Sequence, residues 1–181
     1  MKKGLIIIIT VIFVLALLTG CGSSSSYKTG LGHVVSLNSS KNATADANGA
    51  VQVDVTMAAV TIDSKGVIQK VTIDVIQAKV DIDDSGKILT DLSAEIKSKV
   101  ELGDEYGLIR QSKIGRNWDE QIAELEKWMI GKTIDQIQGI KTKKVDDSHP
   151  NVPDEPDLTS KVTITIQDYI AAVTEAVKNA K

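Results

Sequence analysis

The chain has 181 residues, 42% of them hydrophobic but only 3% aromatic, with 21 basic against 24 acidic side chains and one cysteine. No Cys-x-x-Cys-His for a c-type haem is present, and once the one cysteine is committed to a lipid no thiol is left for a disulfide, an iron–sulfur cluster or a thiolate metal site. The few scattered aromatics and the lack of a basic stripe exclude a nucleic-acid platform.

The first residues carry Lys2 and Lys3, and Leu5 to Leu18 is apolar apart from Thr10. Leu18-Thr19-Gly20-Cys21 then closes the run with small residues and the cysteine, which is the pattern of a secretory signal ending in a lipobox. The run is shorter than the roughly 20 residues of a membrane span and lacks a charged stop-transfer flank. By resemblance to bacterial lipoproteins, residues 1–20 are a removable signal peptide and Cys21 receives a diacylglyceryl thioether. The mature chain is then anchored by lipid on the extracytoplasmic side of the membrane. Two or more acyl chains hold firmly, since each buried methylene contributes about 0.8 kcal/mol. Losing Lys2 and Lys3 takes the formal net charge from -3 to -5.

Residues 21–29 read as the lipidated cysteine and a flexible serine tether, and 30–181 as one domain. Gly30-Leu31-Gly32 leads into a first strand at His33 to Leu37, with Val35 where a dinucleotide fingerprint needs its third glycine. A polar loop follows, to the turn pair Asn48-Gly49. From Ala50 to Thr90 the pattern is β: Val51, Val53 and Val55 alternate with Gln52, Asp54 and Thr56, and Val71, Ile73 and Val75 alternate with Thr72 and Asp74. This predicts one buried face, of the valines and Ile73, and one wet face. The turns Asp63-Ser64-Lys65-Gly66 and Asp83-Asp84-Ser85-Gly86 make the region an antiparallel meander. The second imitates the opening of a calcium loop, but its twelfth position is Leu92 instead of Glu.

Helical spacing begins at Leu92 and runs to Leu102, with Leu92, Ile96, Lys99 and Val100 near one face. Tyr106 then sits in a loop between Gly103 and Gly107. A second helix starts at Asn117 in a capping box with Glu120, buries Trp118, Ile122, Leu125 and Met129, and stops at Gly131. A short third helix is capped by Thr133 with Gln136. All three prolines lie in an acidic loop, Asp146 to Asp157, expected to be exposed. A strand over Val162 to Ile166, with Thr163 and Thr165 outward, and a helix from Gln167 to Asn179 end the chain. The fold class is therefore α+β, an antiparallel β meander with helices packed on one face and a C-terminal strand–helix unit.

No Gly-x-Ser-x-Gly elbow is present, and His33 and His149 are more than a hundred residues apart, so the sequence offers no hydrolase. The stretch left for chemistry is Asp157-Leu158-Thr159-Ser160-Lys161-Val162-Thr163. A glycine-rich start, a meander, a helical section and an Asp-x-x-Ser-x-x-Thr before an alanine-rich helix resemble the bacterial FMN-binding domain. That domain occurs in flavin subunits of Na⁺-translocating quinone reductase and Rnf-type complexes and in flavinylated surface lipoproteins. The resemblance implies a flavin transferase that joins FMN through its phosphate to a threonine hydroxyl. Asp157 and Ser160 match the motif and Thr163 stands at the acceptor position, while Lys161 and Val162 replace the family's small pair. Lys161 could hold a phosphate non-covalently, and Tyr106 and Trp118 are the aromatics to consider for flavin stacking. Two functions follow. One is an electron-transfer lipoprotein carrying FMN, with a membrane redox partner. The other is a non-catalytic ligand-binding or scaffold lipoprotein that has lost the flavin. A solute receptor for a transporter normally needs two lobes and a longer chain.

Overall fold

The structure, a computed structural model, describes residues 26–181. The predicted signal peptide and Cys21 lie outside the described residues. Three long strands, β1 (Lys28–Ser36), β2 (Gly49–Ile62) and β3 (Ile68–Ile82), form an antiparallel sheet in the order β1-β2-β3. Among the described residues four α-helices follow, α1 (Lys99–Leu102), α2 (Trp118–Met129), α3 (Ile134–Gln138) and α4 (Gln167–Lys178), with two 3-10 turns, Gly103–Tyr106 and Leu108–Arg110, between α1 and α2. A two-stranded ribbon, β4 (Thr142–Lys143) with β5 (Val152–Pro153), lies between α3 and α4. The fold class is α+β. Among the described residues no helix is long and apolar enough to cross a membrane.

The core lies between one face of the sheet and the helices. Ala58, Val60, Ile62, Ile68, Val71, Ile73 and Val75 meet Trp118, Ile122, Leu125 and Met129 of α2 and Tyr169, Ala172, Val173 and Ala176 of α4. Helix α2 forms where its sequence signals place it. Asn117 accepts from the N3 backbone, Glu120 reaches back to the Asn117 N–H, and Gly131, at φ 81°, ends the segment in a conformation other residues adopt at a cost. The expected capping box of Thr133 with Gln136 starts α3.

Gly30 and Gly32 are there for packing. A Cβ on Gly32 would lie 2.1 Å from the carbonyl oxygen of Ala172, and one on Gly30 2.0 Å from that of Ala176. Strand β1 therefore touches the backbone of α4, and it starts at Lys28, earlier than the apolar residues alone indicate.

Three expectations need correction. Only Lys99–Leu102 of the segment from Leu92 is α-helical. Leu92, Ile96 and Val100 stay exposed, so an amphipathic helix there would have nothing to pack against. Asp91 instead folds a turn by accepting from the N–H and hydroxyl of Ser93, and the helix starts at a capping box of Ser98 and Glu101.

Val162–Ile166 is not a strand. Both edges of the sheet are already occupied. Thr29 N–H and C=O pair with Lys181, and Glu175 accepts from His33 N–H on the β1 side. On the β3 side Ile68 bonds Gly131 and Lys132, Ile73 N–H donates to Glu126, and Ser98 bridges Ile76. The segment has no ladder to join, so its backbone bonds go elsewhere: Ile166 N–H to Asn151 C=O, and Thr163 N–H to the Gln121 side chain.

The third correction concerns the sheet face. Directly paired residues share a face, and Thr56 pairs with Val75 of the core. Gln52, Asp54 and Thr56 therefore point to the helix side, and Val51, Val53 and Val55 to the outer side. The polar residues are satisfied there, since Asp54 accepts from Ser39, Gln52 and Gln77. Burial would raise the Asp54 pKa, but these hydrogen bonds outweigh it and hold the carboxyl below its ordinary value.

Candidate functional site

After β5 the chain makes a tight turn, with Thr159 N–H bonded to Glu155 C=O and Val162 N–H to Leu158 C=O. Leu158, Val162 and Ile166 are buried and pin the turn and the stretch after it to the core. Thr163 stands between two of these anchors and is half-buried. It does not lie on a wet strand face. Its side chain lines a cavity of about 260 Å³ between this segment, the β4–β5 ribbon and the loop before α2.

Gln121, on α2 and 0% exposed, organises the inner wall. Its Oε1 accepts from Thr163 N–H at 2.9 Å and from Thr163 Oγ1 at 3.3 Å. Its Nε2 donates to Arg116 C=O at 3.2 Å and to Ser112 Oγ at 3.4 Å. A buried amide with both ends bonded fixes the Thr163 backbone and orients its hydroxyl, whose lone pairs stay free to accept.

Leu108, Val145, Val152, Pro153 and Ile164 supply the apolar wall, and Ser112, Thr159 and Thr163 the hydroxyls. Three basic side chains, Lys113, Lys143 and His149, line it as well. Lys143 Nζ pairs with Asp154 at 2.8 Å, and His149 Nδ1 lies 2.8 Å from Asp146 Oδ1. The hydrogen bond with His149 holds the Asp146 carboxyl below its ordinary range. Lys113 makes no ion pair among the described residues. The burial of Val152 and Pro153 also corrects the expectation of a fully exposed acidic loop.

The other residues of the motif are not gathered around Thr163. Asp157 and Lys161 lie on a separate, shallow depression with Glu124 and Trp128. Lys161 Nζ is 2.9 Å from Glu124 Oε2, and that hydrogen bond lowers the Glu124 pKa. Ser160 is exposed and lines neither site. Tyr106 donates its hydroxyl to Gln77 at 3.2 Å, with the Lys99 ammonium 4.6 Å from its ring centroid. Trp118 is core: it stacks edge-on to Tyr169 at 6.0 Å and donates Nε1–H to its hydroxyl at 2.9 Å. Burial pushes that hydroxyl's pKa up to about 12.

The calcium-like turn is closed by its own side chains. Asp83 Oδ1 accepts from Ser85 N–H, Ser85 Oγ and Lys87 N–H, and the hydrogen bond from the Ser85 hydroxyl lowers its pKa. Among the described residues no cluster of three His, Cys, Asp or Glu side chains could hold a metal ion. Gln121, Ser112, Lys113 and Lys143 were not singled out by the motif. The signal for Gln121 was a polar residue three positions after Trp118, on the helical stripe that buries Trp118, Ile122 and Leu125. No family model, curated protein or solved structure matches the chain.

Proposed function

We infer that this chain is a lipid-anchored extracytoplasmic protein whose domain binds a phosphorylated ligand of the FMN type at the Thr163 cavity. The observation that carries the reading is the environment of Thr163: an oriented hydroxyl in a cavity with Lys113, Lys143 and His149. Cations and hydroxyl donors suit a phosphate, and among the described residues no carboxylate pairs with Lys113. The residues therefore fit the phosphate end of the cofactor. They do not fit a buried ring system, because the cavity has no aromatic lining and falls below the roughly 300–1,000 Å³ of pockets that enclose a whole organic ligand.

When bound, FMN supplies electron-transfer chemistry, and this chain's part is to hold its phosphate and set its orientation. Gln121 positions the Thr163 backbone and takes its hydroxyl proton, so the donors for a phosphate are Lys113 and Ser112, whose oxygen accepts from Gln121 and Arg116 and leaves its proton to give. Asp157, Ser160, Lys161 and Tyr106 have no direct part in this arrangement. The short tether agrees with a membrane partner. The seven Cα–Cα steps from Cys21 to Lys28 span at most about 25 Å, which keeps a lipid-anchored domain at the bilayer surface.

A specific observation favours the second reading, a ligand-binding or scaffold lipoprotein without flavin. The Thr163 hydroxyl is half-buried and bonded to Gln121, so a modifying enzyme reaches it poorly. The deciding experiment produces the full chain in an exporting host with a flavin transferase, beside Thr163→Ala and Lys113→Ala. Covalent flavinylation gives a flavin absorbance band and a mass increase of one FMN less water, both lost in Thr163→Ala. Colour without added mass, weakened in Lys113→Ala, establishes non-covalent binding. A colourless, unmodified protein that takes up no added FMN refutes the cofactor reading.

A further inference from the structure

Among the described residues nothing covers the outer face of the sheet, which is mainly apolar from Val35, Val55 and Ile76 to Val51 and Val80. Rows of paired residues cross it: Leu31, Ala59 and Thr72; Val35, Val55 and Ile76; then Val53 with Ala78 and Val51 with Val80. From the row of Thr29, Thr61 and Lys70 to that of Val51 and Val80, only Lys70 and Asp74 carry a full charge. Leu31 is 64% exposed and Val35 55%. The apolar pattern of β2 changes phase along its length while the strand keeps its facing, so Ala58, Val60 and Ile62 meet the helices at one end and Val51, Val53 and Val55 face outward at the other. At that end the helix side holds the polar group of Gln52, Asp54 and Gln77.

The geometry points to a second copy of this chain as the cover, two sheets packing face to face as a β-sandwich across a two-fold axis. Strand β2 has 14 residues. At about 3.3 Å per residue and about 4.8 Å per strand, β1 and β3, with 9 and 15 residues, bring the face to roughly 600 Å² per copy. Two copies would bury about 1,200 Å², at the lower end of specific protein interfaces. Association through strand edges is closed off, because residues of the chain itself occupy both edges. With the axis running along β2, β1 of one copy lies over β3 of the other. His33 and Asp74 both pair with Met57 and so come into register across the axis, each already bonded within its own copy: His33 Nδ1 lies 3.3 Å from Glu175, and Asp74 Oδ1 accepts from Val75 and Val100 N–H. Anchoring both copies to one membrane raises their effective concentration and strengthens a modest contact.

The test is sedimentation equilibrium of the full chain in density-matched detergent, together with cross-linking in intact cells by a short bis-maleimide at Val55→Cys, against the parent chain. The expected mass is twice that of one chain, and the expected product is a cross-linked dimer specific to Val55→Cys. Leu31→Glu with Val35→Glu, two exposed positions, should halve the mass and leave the circular dichroism spectrum and melting transition of a folded domain. Val51→Lys is a second folded control in case the pair unfolds the protein. A monomeric parent overturns the proposal, and so does a dimer that survives both sets of charges. Binding of that monomer to neutral lipid vesicles, lost in Leu31→Glu with Val35→Glu, would assign the face to the bilayer instead.

Discussion

Replacing Gly32 by alanine should destabilise the domain, although general considerations predict the reverse. Gly32 is not among the glycines with positive φ, so alanine can adopt its extended backbone without strain. Such a substitution ordinarily stabilises by about 0.4–1 kcal/mol, because it restricts the unfolded chain. Here the new methyl would stand 2.1 Å from Ala172 O and 2.4 Å from Ala176 N, both backbone atoms of α4. No rotamer change relieves a contact with backbone, so the helix must move outward by more than an ångström. Tyr169, Ala172, Val173 and Ala176 would then lose contacts with the sheet. Overpacking of this kind costs about 1–3 kcal/mol, and more when a whole helix shifts. Set against the entropic gain, the net loss is about 1–2 kcal/mol. For a domain of this size that lowers Tm by roughly 2–8 °C. Urea or thermal unfolding of the parent and Gly32→Ala measures it. Adding Ala172→Gly should not rescue the loss, because the atom struck is a main-chain oxygen. A neutral or stabilised Gly32→Ala would refute the close strand–helix packing.

Gln121→Leu should lose about 1–3 kcal/mol, the cost of leaving the Thr163 N–H without its partner in a half-buried site. Thr163→Val, which removes only the longer of the two bonds, should lose less, and equal losses by chemical denaturation would remove Gln121 as the organiser of the cavity. Glu126 is partly buried on α2, and burial raises its pKa despite the hydrogen bond from Ile73 N–H at 2.6 Å. A raised folded-state pKa means that the stability from its protonated form is fully present below the unfolded pKa and is lost as pH rises through the folded value. Glu126→Gln keeps an acceptor for Ile73 and removes the charge, so it should melt higher than the parent at neutral pH. The difference should close as the pH falls below the unfolded carboxyl value. A variant less stable at neutral pH would show that the ionised hydrogen bond outweighs desolvation.

The fold was legible where local signals and tertiary packing agree. The meander could be placed from two acidic turns and the alternation between them, α2 from a capping box and its glycine stop, and α3 from a capping box. Alternation failed in two places for one reason: it reports that a face differs from its opposite, without saying what lies against either. At Val162–Ile166 the pattern is that of a strand, but an extended segment becomes a strand only beside a free edge. Glu126, Ser98, Glu175 and Lys181 hold both edges. In β2 the apolar phase changes between Val55 and Ala58, so Val51, Val53 and Val55 went to the face opposite the helices. Residues Leu92 to Ile96 had helical spacing without any surface to pack on.

The candidate site was partly legible. The motif led to Thr163, and the structure places that residue in a cavity. Asp157, Ser160 and Lys161 do not share it, because the turn from Glu155 to Val162 directs them to the opposite side or into solvent. The residues that surround Thr163 come from α2, the loop before it and the β4–β5 ribbon, at distances in sequence that no linear motif spans. Gln121 is the exception. A fully buried amide on an otherwise apolar stripe is costly unless both ends are bonded. Its presence between Trp118 and Ile122 already implied a polar partner inside the domain, and that partner is the backbone and hydroxyl of Thr163. The same residue therefore secures the packing of the last segment against α2 and directs the one hydroxyl on which the proposed chemistry depends.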